Sequence, residues 1–172
     1  GDADVKVAPD EIVLILGVET SDKNLTTARN QNDERVKRIL AFVKPGVESK
    51  NIQTEQIRVE PHYRDNYNQT DFIGFFVRKT IVITLKDIVK FEDIYSGVLE
   101  NGATHVHGIQ FRTTELRKYR DQARALAIQA AQEKANAMAK TLGQKAGKPY
   151  SIQENYSNWW SWYDRWWGGG SM

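Results

Sequence analysis

The chain has 172 residues, with 24 Lys and Arg against 22 Asp and Glu and a net charge of +2. Apolar residues make up 40% and charged residues 27%, the composition of a soluble globular protein, and the near-balance of charge gives no strong field for nucleic acid or anionic lipid. The absence of cysteine excludes disulfides, zinc–thiolate sites, iron–sulfur clusters and thiol catalysis, and leaves the redox compartment open.

The length allows one domain or two small ones sharing a core. Ile12, Leu14, Leu16 and Val18 alternate with Val13, Ile15 and Gly17. Apolar residues on both faces predict a first strand covered on both sides over its middle. The longest apolar run, Ile12 to Leu16, is far too short to span a bilayer. Ser21-Asp-Lys-Asn24 supplies N-cap chemistry for a helix whose stripe is Leu25, Ala28, Asn32, Val36, Ile39, Leu40 and Val43. Asn32 interrupts that stripe and is read as a helix-edge or hydrogen-bonded polar residue. Lys44-Pro-Gly46 ends the helix, because a residue before proline resists the α conformation.

Ile52, Ile57, Val59, Pro61 and Tyr63 predict one half-exposed strand. The polar connector Arg64 to Asp71 joins it to a long strand, Phe72 to Lys86, as a long β-hairpin. Asp87 caps a second helix with the stripe Ile88, Phe91, Ile94, Tyr95, Val98 and Leu99, stopped at Asn101-Gly102. A strand follows over Val106 to Thr113, then the longest helix, Glu115 to Leu142, closed by Gly143. Tyr150, Ile152 and Glu154 predict a short last strand. The order β-α-β-β-α-β-α-β gives an α+β class with a mixed or antiparallel sheet.

In the third helix Ala123, Ala127, Ala131, Ala135 and Ala139 recur every four residues. Alanine is the best helix former, and a row of methyl groups lets another element approach closely. The favoured reading lays this helix flat on the protein's own sheet; the alternative is a seam between subunits. His105 and His107 lie two apart in a predicted strand and so project to one face. Two imidazoles so placed suit a metal only with a further ligand, and none is obvious in the sequence. They are read as strand histidines, with no metal and no cofactor assigned. No nucleophile elbow, Walker loop or Gly-x-Gly-x-x-Gly is present, so no catalytic residue is assigned.

All five tryptophans, Trp159, Trp160, Trp162, Trp166 and Trp167, fall in the last 14 residues, 159–172. Clustered indoles mark contacts. Packing on the same chain or on a neighbouring subunit is preferred. A membrane interface and stacking on sugar rings or a peptide are the alternatives.

The ordered part, about residues 3–155, resembles the SIMPL-domain family, which includes bacterial periplasmic and outer-membrane-associated immunogenic proteins. The resemblance is carried by Val5-x-Val-x-Pro-Asp10 before the first strand, Gly46-Val47 followed by Ile52-Gln-Thr54 and Pro61-x-Tyr63, Ile73-Gly-Phe-Phe, and Tyr119 before the alanine-rich helix and Leu142-Gly143. The order and spacing of these pieces, more than any one of them, make the likeness. It implies two intertwined subdomains within residues 1–155, a ferredoxin-like plait and a K-homology-like α/β unit. Residues 156–172 then form a separate Trp-rich tail. It also implies export by a signal peptide to the periplasm or cell surface, envelope or oxidative-stress roles, homo-oligomers that are in some cases ring-like, and no established catalysis. The resulting expectation is a non-enzymatic exported envelope protein acting by self-assembly and surface contacts. The alternative is a ligand-binding module whose Trp-rich tail clamps glycan or peptide. The sequence lacks the Gly-x-x-Gly clamp by which K-homology units hold nucleic acid, so no nucleic-acid partner is expected.

Overall fold

The computed structural model describes residues 1–55, 57–65 and 67–154. In chain order these form strand β1 (Glu11–Asp22), helix α1 (Leu25–Val43), and strands β2 (Ile52–Thr54), β3 (Arg58–Asp65) and β4 (Thr70–Leu85). Helix α2 (Phe91–Glu100), strand β5 (His105–Arg112) and helix α3 (Leu116–Thr141) complete the series. The class is α+β. All strand pairings among the described residues are antiparallel, in the spatial order β2-β4-β1-β5, with β3 also on β4. The chain divides into two units. One is Asp4–Ala125; the other is Gly1–Ala3 with the described residues from Leu126 onward.

The first unit is built on the alternation of β1. Ile12, Leu14, Leu16 and Val18 are buried together with Val36, Ile39 and Val43 of α1, Ile81, Ile83 and Leu85 of β4, and Ile94 and Val98 of α2. Each such side chain contributes about 1.5–3 kcal/mol by leaving water. On the other face of β1, Val13 and Gly17 are buried too and Ile15 half-buried, as apolar residues at both parities predict. Gly97 makes room for Phe42: a Cβ there would fall inside the Phe42 ring, which would have to swing aside for a methyl group where α1 meets α2.

Local chemistry sets the helix ends. Asn24 Oδ1 accepts from the Thr26 and Thr27 amides at 2.9 and 3.2 Å, satisfying two orphan donors of α1. Asp87 does the same for Val89 at 3.2 Å ahead of α2. Gly102 takes φ +118°, the left-handed conformation that ends α2. Asn32 is fully buried. Its Nδ2 donates to the Val18 carbonyl at 2.9 Å and the Val77 carbonyl at 3.0 Å, tying α1 to the β1–β4 pair. Its Oδ1 is buried without a hydrogen-bond partner among the described residues. The break in the apolar stripe is therefore a polar anchor.

Two expectations about strands need correction, and with them the order β-α-β-β-α-β-α-β. The strand expected over 52–63 is two, β2 and β3, lying along the same edge of β4. Thr54 pairs with Ile81 and Arg58 with Arg78, four steps on one strand against three on the other. The extra residue breaks the ladder as a bulge does. The short last strand at Tyr150, Ile152 and Glu154 is absent. Tyr150 and Ile152 are 104% and 73% exposed, and residues 151–154 take no regular secondary structure. Alternation is a local pattern, whereas a strand is a ladder shared with another segment. The hairpin is as expected, running through β3 and β4, with Asp65 Oδ1 accepting from the Tyr67 and Asn68 amides at 3.0 and 3.1 Å at its turn.

Candidate functional site

Two places gather the residues that sequence reasoning singles out. The first is α3. It runs 26 residues, and none of them is buried. Ala123 and Ala127 are partly exposed; Ala131 and Ala135 are exposed. Leu126, Ile128 and Met138 are exposed beside them, at 43%, 51% and 61%. The helix forms over the predicted span, with the alanine stripe along it.

The second place is the face of the sheet opposite α1. His105 pairs with Gly17 across β1–β5, and a register shift between Ile15 and Leu16 makes His107 the extra residue of a bulge. The two imidazoles have centroids 6.0 Å apart and planes within 6°. Gly17 makes room for them. A Cβ there would collide with His107 Nε2 and would stand 3.2 Å from His105 Cβ. Thr104 Oγ1 lies 2.9 Å from His105 Nδ1, 3.1 Å from the Gly17 carbonyl, and accepts from the Glu19 amide at 2.8 Å.

The rings open onto a shallow groove of about 470 Å³, lined also by Glu19, Glu55, Arg58 and Arg78. Arg78 is engaged by Glu19 and, at 3.4 Å, by Glu60, so its charge is met within the sheet. Among the described residues no group of three or more His, Asp or Glu is placed to hold a metal ion. Sequence reasoning placed both histidines on one face, which holds. It missed Gly17 and Thr104. An isolated glycine inside an apolar strand signals a bulge or a close approach, and could have pointed to this spot; Thr104 carries no such signal. Trp159, Trp160, Trp162, Trp166 and Trp167 lie outside the described residues.

An antiparallel α+β domain is the class that the geometry defines. The chain belongs to the SIMPL family, described as a protein of unknown function (DUF541), whose pattern matches residues 1–165. It is similar to the uncharacterized protein YggE of Escherichia coli K12, with 28% identity over 92% of this chain and 65% of that protein. YggE of Edwardsiella ictaluri is 27% identical over 92% of this chain and 67% of its own length. The 26 kDa periplasmic immunogenic protein of Brucella melitensis is 22% identical over 90% of this chain and 64% of its own length. The chain thus spans just under two thirds of the first of these relatives. No helix among the described residues is long and apolar enough to cross a membrane.

Proposed function

We propose that this chain is a non-enzymatic, exported envelope protein that works through self-assembly, with α3 as its contact element. The observation that carries the reading is the state of that helix: 26 residues, none buried, with Ala123, Ala127, Ala131 and Ala135 repeating along it. Helices in water owe most of their stability to packing on one face, so a helix this long gains from a partner. Small residues every four positions let two such helices approach closely. A second copy of the chain supplies the same ridge and so is a self-complementary occupant.

Placement in the periplasm or at the cell surface is supported by family membership and by the name of the Brucella relative. The intertwined plait and K-homology-like halves implied by the resemblance belong to the same reading. Light scattering coupled to size exclusion on the full chain tests it. The expected result is an oligomer that Ala127→Glu with Ala131→Glu converts to a monomer with unchanged far-ultraviolet dichroism. A wild-type chain that stays monomeric at every concentration overturns it.

A further inference from the structure

We propose that the free edge of β5, residues 108–112, pairs antiparallel with the same edge of a second copy and joins two five-stranded sheets into one. The inference rests on the self-assembly proposed above and names a further contact within it.

The two edges of the sheet differ. β5 ends the strand order, and among the described residues it pairs only with β1. An edge strand presents a row of unpaired amides and carbonyls, which folded proteins guard with proline, charge or bulges. The opposite edge is guarded. There β3 carries Pro61, which has no N–H, among Arg58, Glu60, Arg64 and Asp65. In β5 the bulge at His107 guards only the first half. Residues 108–112 beyond it hold no proline, and Ile109 and Phe111 are 37% and 53% exposed.

The sheet faces decide what fits this edge. Ile109 stands opposite Leu14 and Phe111 opposite Ile12 on β1. Directly opposed residues share a face, so both lie on the side of the core, where the Phe91 ring of α2 is 6.2 Å from that of Phe111. Gln110, opposite Val13, and Gly108, opposite Ile15, lie on the other side.

A two-fold axis normal to the sheet matches face to face only when it passes beside a residue. Centred on Gln110, it sets Ile109 against Phe111 of the second copy, twice over, and aromatic–β-branched pairs of this kind stabilise antiparallel sheets. It also sets Arg112 against Gly108, where no side chain stands in its way. Centred on Ile109, the axis would set Phe111 against the bulge at His107; centred on Phe111, it would set Ile109 against the polar Thr113. Only the Gln110 register gives both exposed apolar residues an apolar partner, and the partner that supplies them in this order is β5 itself. A stable interface takes about 20–30 residues a side. The five of β5 are a fraction of that, so the edges pair inside the assembly held by α3, which begins at Leu116, just after β5.

The test uses the full chain, which has no cysteine, so an introduced thiol can meet only its own copy. At this register the two Gln110 Cα atoms stand about 4.5–5.5 Å apart, within the span of a disulfide. The two Arg112 Cα atoms stand roughly 14 Å apart, beyond it. Mild oxidation of Gln110→Cys should therefore give a covalent dimer, and Arg112→Cys should not. Ile109→Lys, at an exposed position, should lower the association constant about tenfold by losing both apolar pairs, with unchanged far-ultraviolet dichroism. An oligomer in which Gln110→Cys forms no covalent dimer, or forms it no faster than Arg112→Cys, overturns this proposal and leaves the α3 contact standing. Covalent dimers of Gln110→Cys that persist with Ala127→Glu and Ala131→Glu support the β5 contact and overturn α3 as the contact element. A wild-type chain that is monomeric at every concentration overturns both.

Discussion

Helices α1 and α3 make an instructive pair. Both carry stripes at helical spacing, and both form where the spacing predicts. Of the 19 residues of α1, Ala28, Asn32, Val36, Ile39 and Val43 are buried; of the 26 of α3, none is. The two stripes differ in side-chain volume and in anchoring. The α1 stripe is branched and large, and it is fastened to the sheet by Asn32 and by Thr20, whose hydroxyl donates to the Ala28 carbonyl at 2.7 Å. The α3 stripe is mostly methyl groups. A periodic stripe therefore tells which face wants cover; in α1 large branched residues and polar anchors fasten that face to the sheet.

Matched substitutions give the sharpest way to break this comparison. Ile39→Ala in α1 should cost about 2–5 kcal/mol in urea unfolding, the range for a buried Ile, whereas Ile128→Ala in α3 should stay within about 0.5 kcal/mol for the isolated chain. Equal losses at the two sites would show that α3 is packed as tightly as α1. Asn32→Ala comes next. It removes two buried hydrogen bonds, each worth about 1 kcal/mol, and a destabilisation of about 2 kcal/mol is expected by thermal or chemical unfolding. A neutral result would mean that the orphaned Oδ1 cancels the gain from Nδ2 and that the anchor is not one.

Gly97→Ala probes the α1–α2 crossing. Forcing a methyl group into the Phe42 ring should cost about 1–3 kcal/mol, and a compensating Phe42→Leu should recover part of it. A stable single variant would mean that the crossing is loose.

The smallest effect is expected at the start of α3, within the unit Asp4–Ala125. Asp10 accepts from the Thr114 hydroxyl and amide, both at 2.8 Å, just before α3. The hydroxyl bond first, and then the amide bond, hold its carboxyl below the ordinary value of 3.8. A depressed folded pKa adds stability that is present above the unfolded pKa and is lost as pH falls through the folded one. Acid below about pH 4 should therefore loosen the β5–α3 junction slightly. Asp10→Asn should remove that acid sensitivity, as hydrogen exchange at Thr114 would report.

Much of the fold was legible in order. The positions of β1, α1, the hairpin, α2, β5 and α3 follow from alternation, 3.6-residue spacing, Asn24 and Asp87 as caps and Gly102 as a stop. The split between β2 and β3 was not legible, because a bulge is an agreement between two strands and appears in neither alone. Residues 150–154 carry a strand pattern but form no strand, because the pattern is local and the ladder is not.

The histidine face divides in the same way. That His105 and His107 share a face is a property of strand geometry and could be read from two residue numbers. That they stand over Gly17, with Thr104 holding one ring, joins residues 87 positions apart in the chain. By itself, then, the sequence determined the local elements and which side of each is apolar, since those depend on neighbours a few residues away. Only the tertiary structure decided where the ladder breaks and which polar groups meet, because those depend on what arrives from elsewhere in the chain.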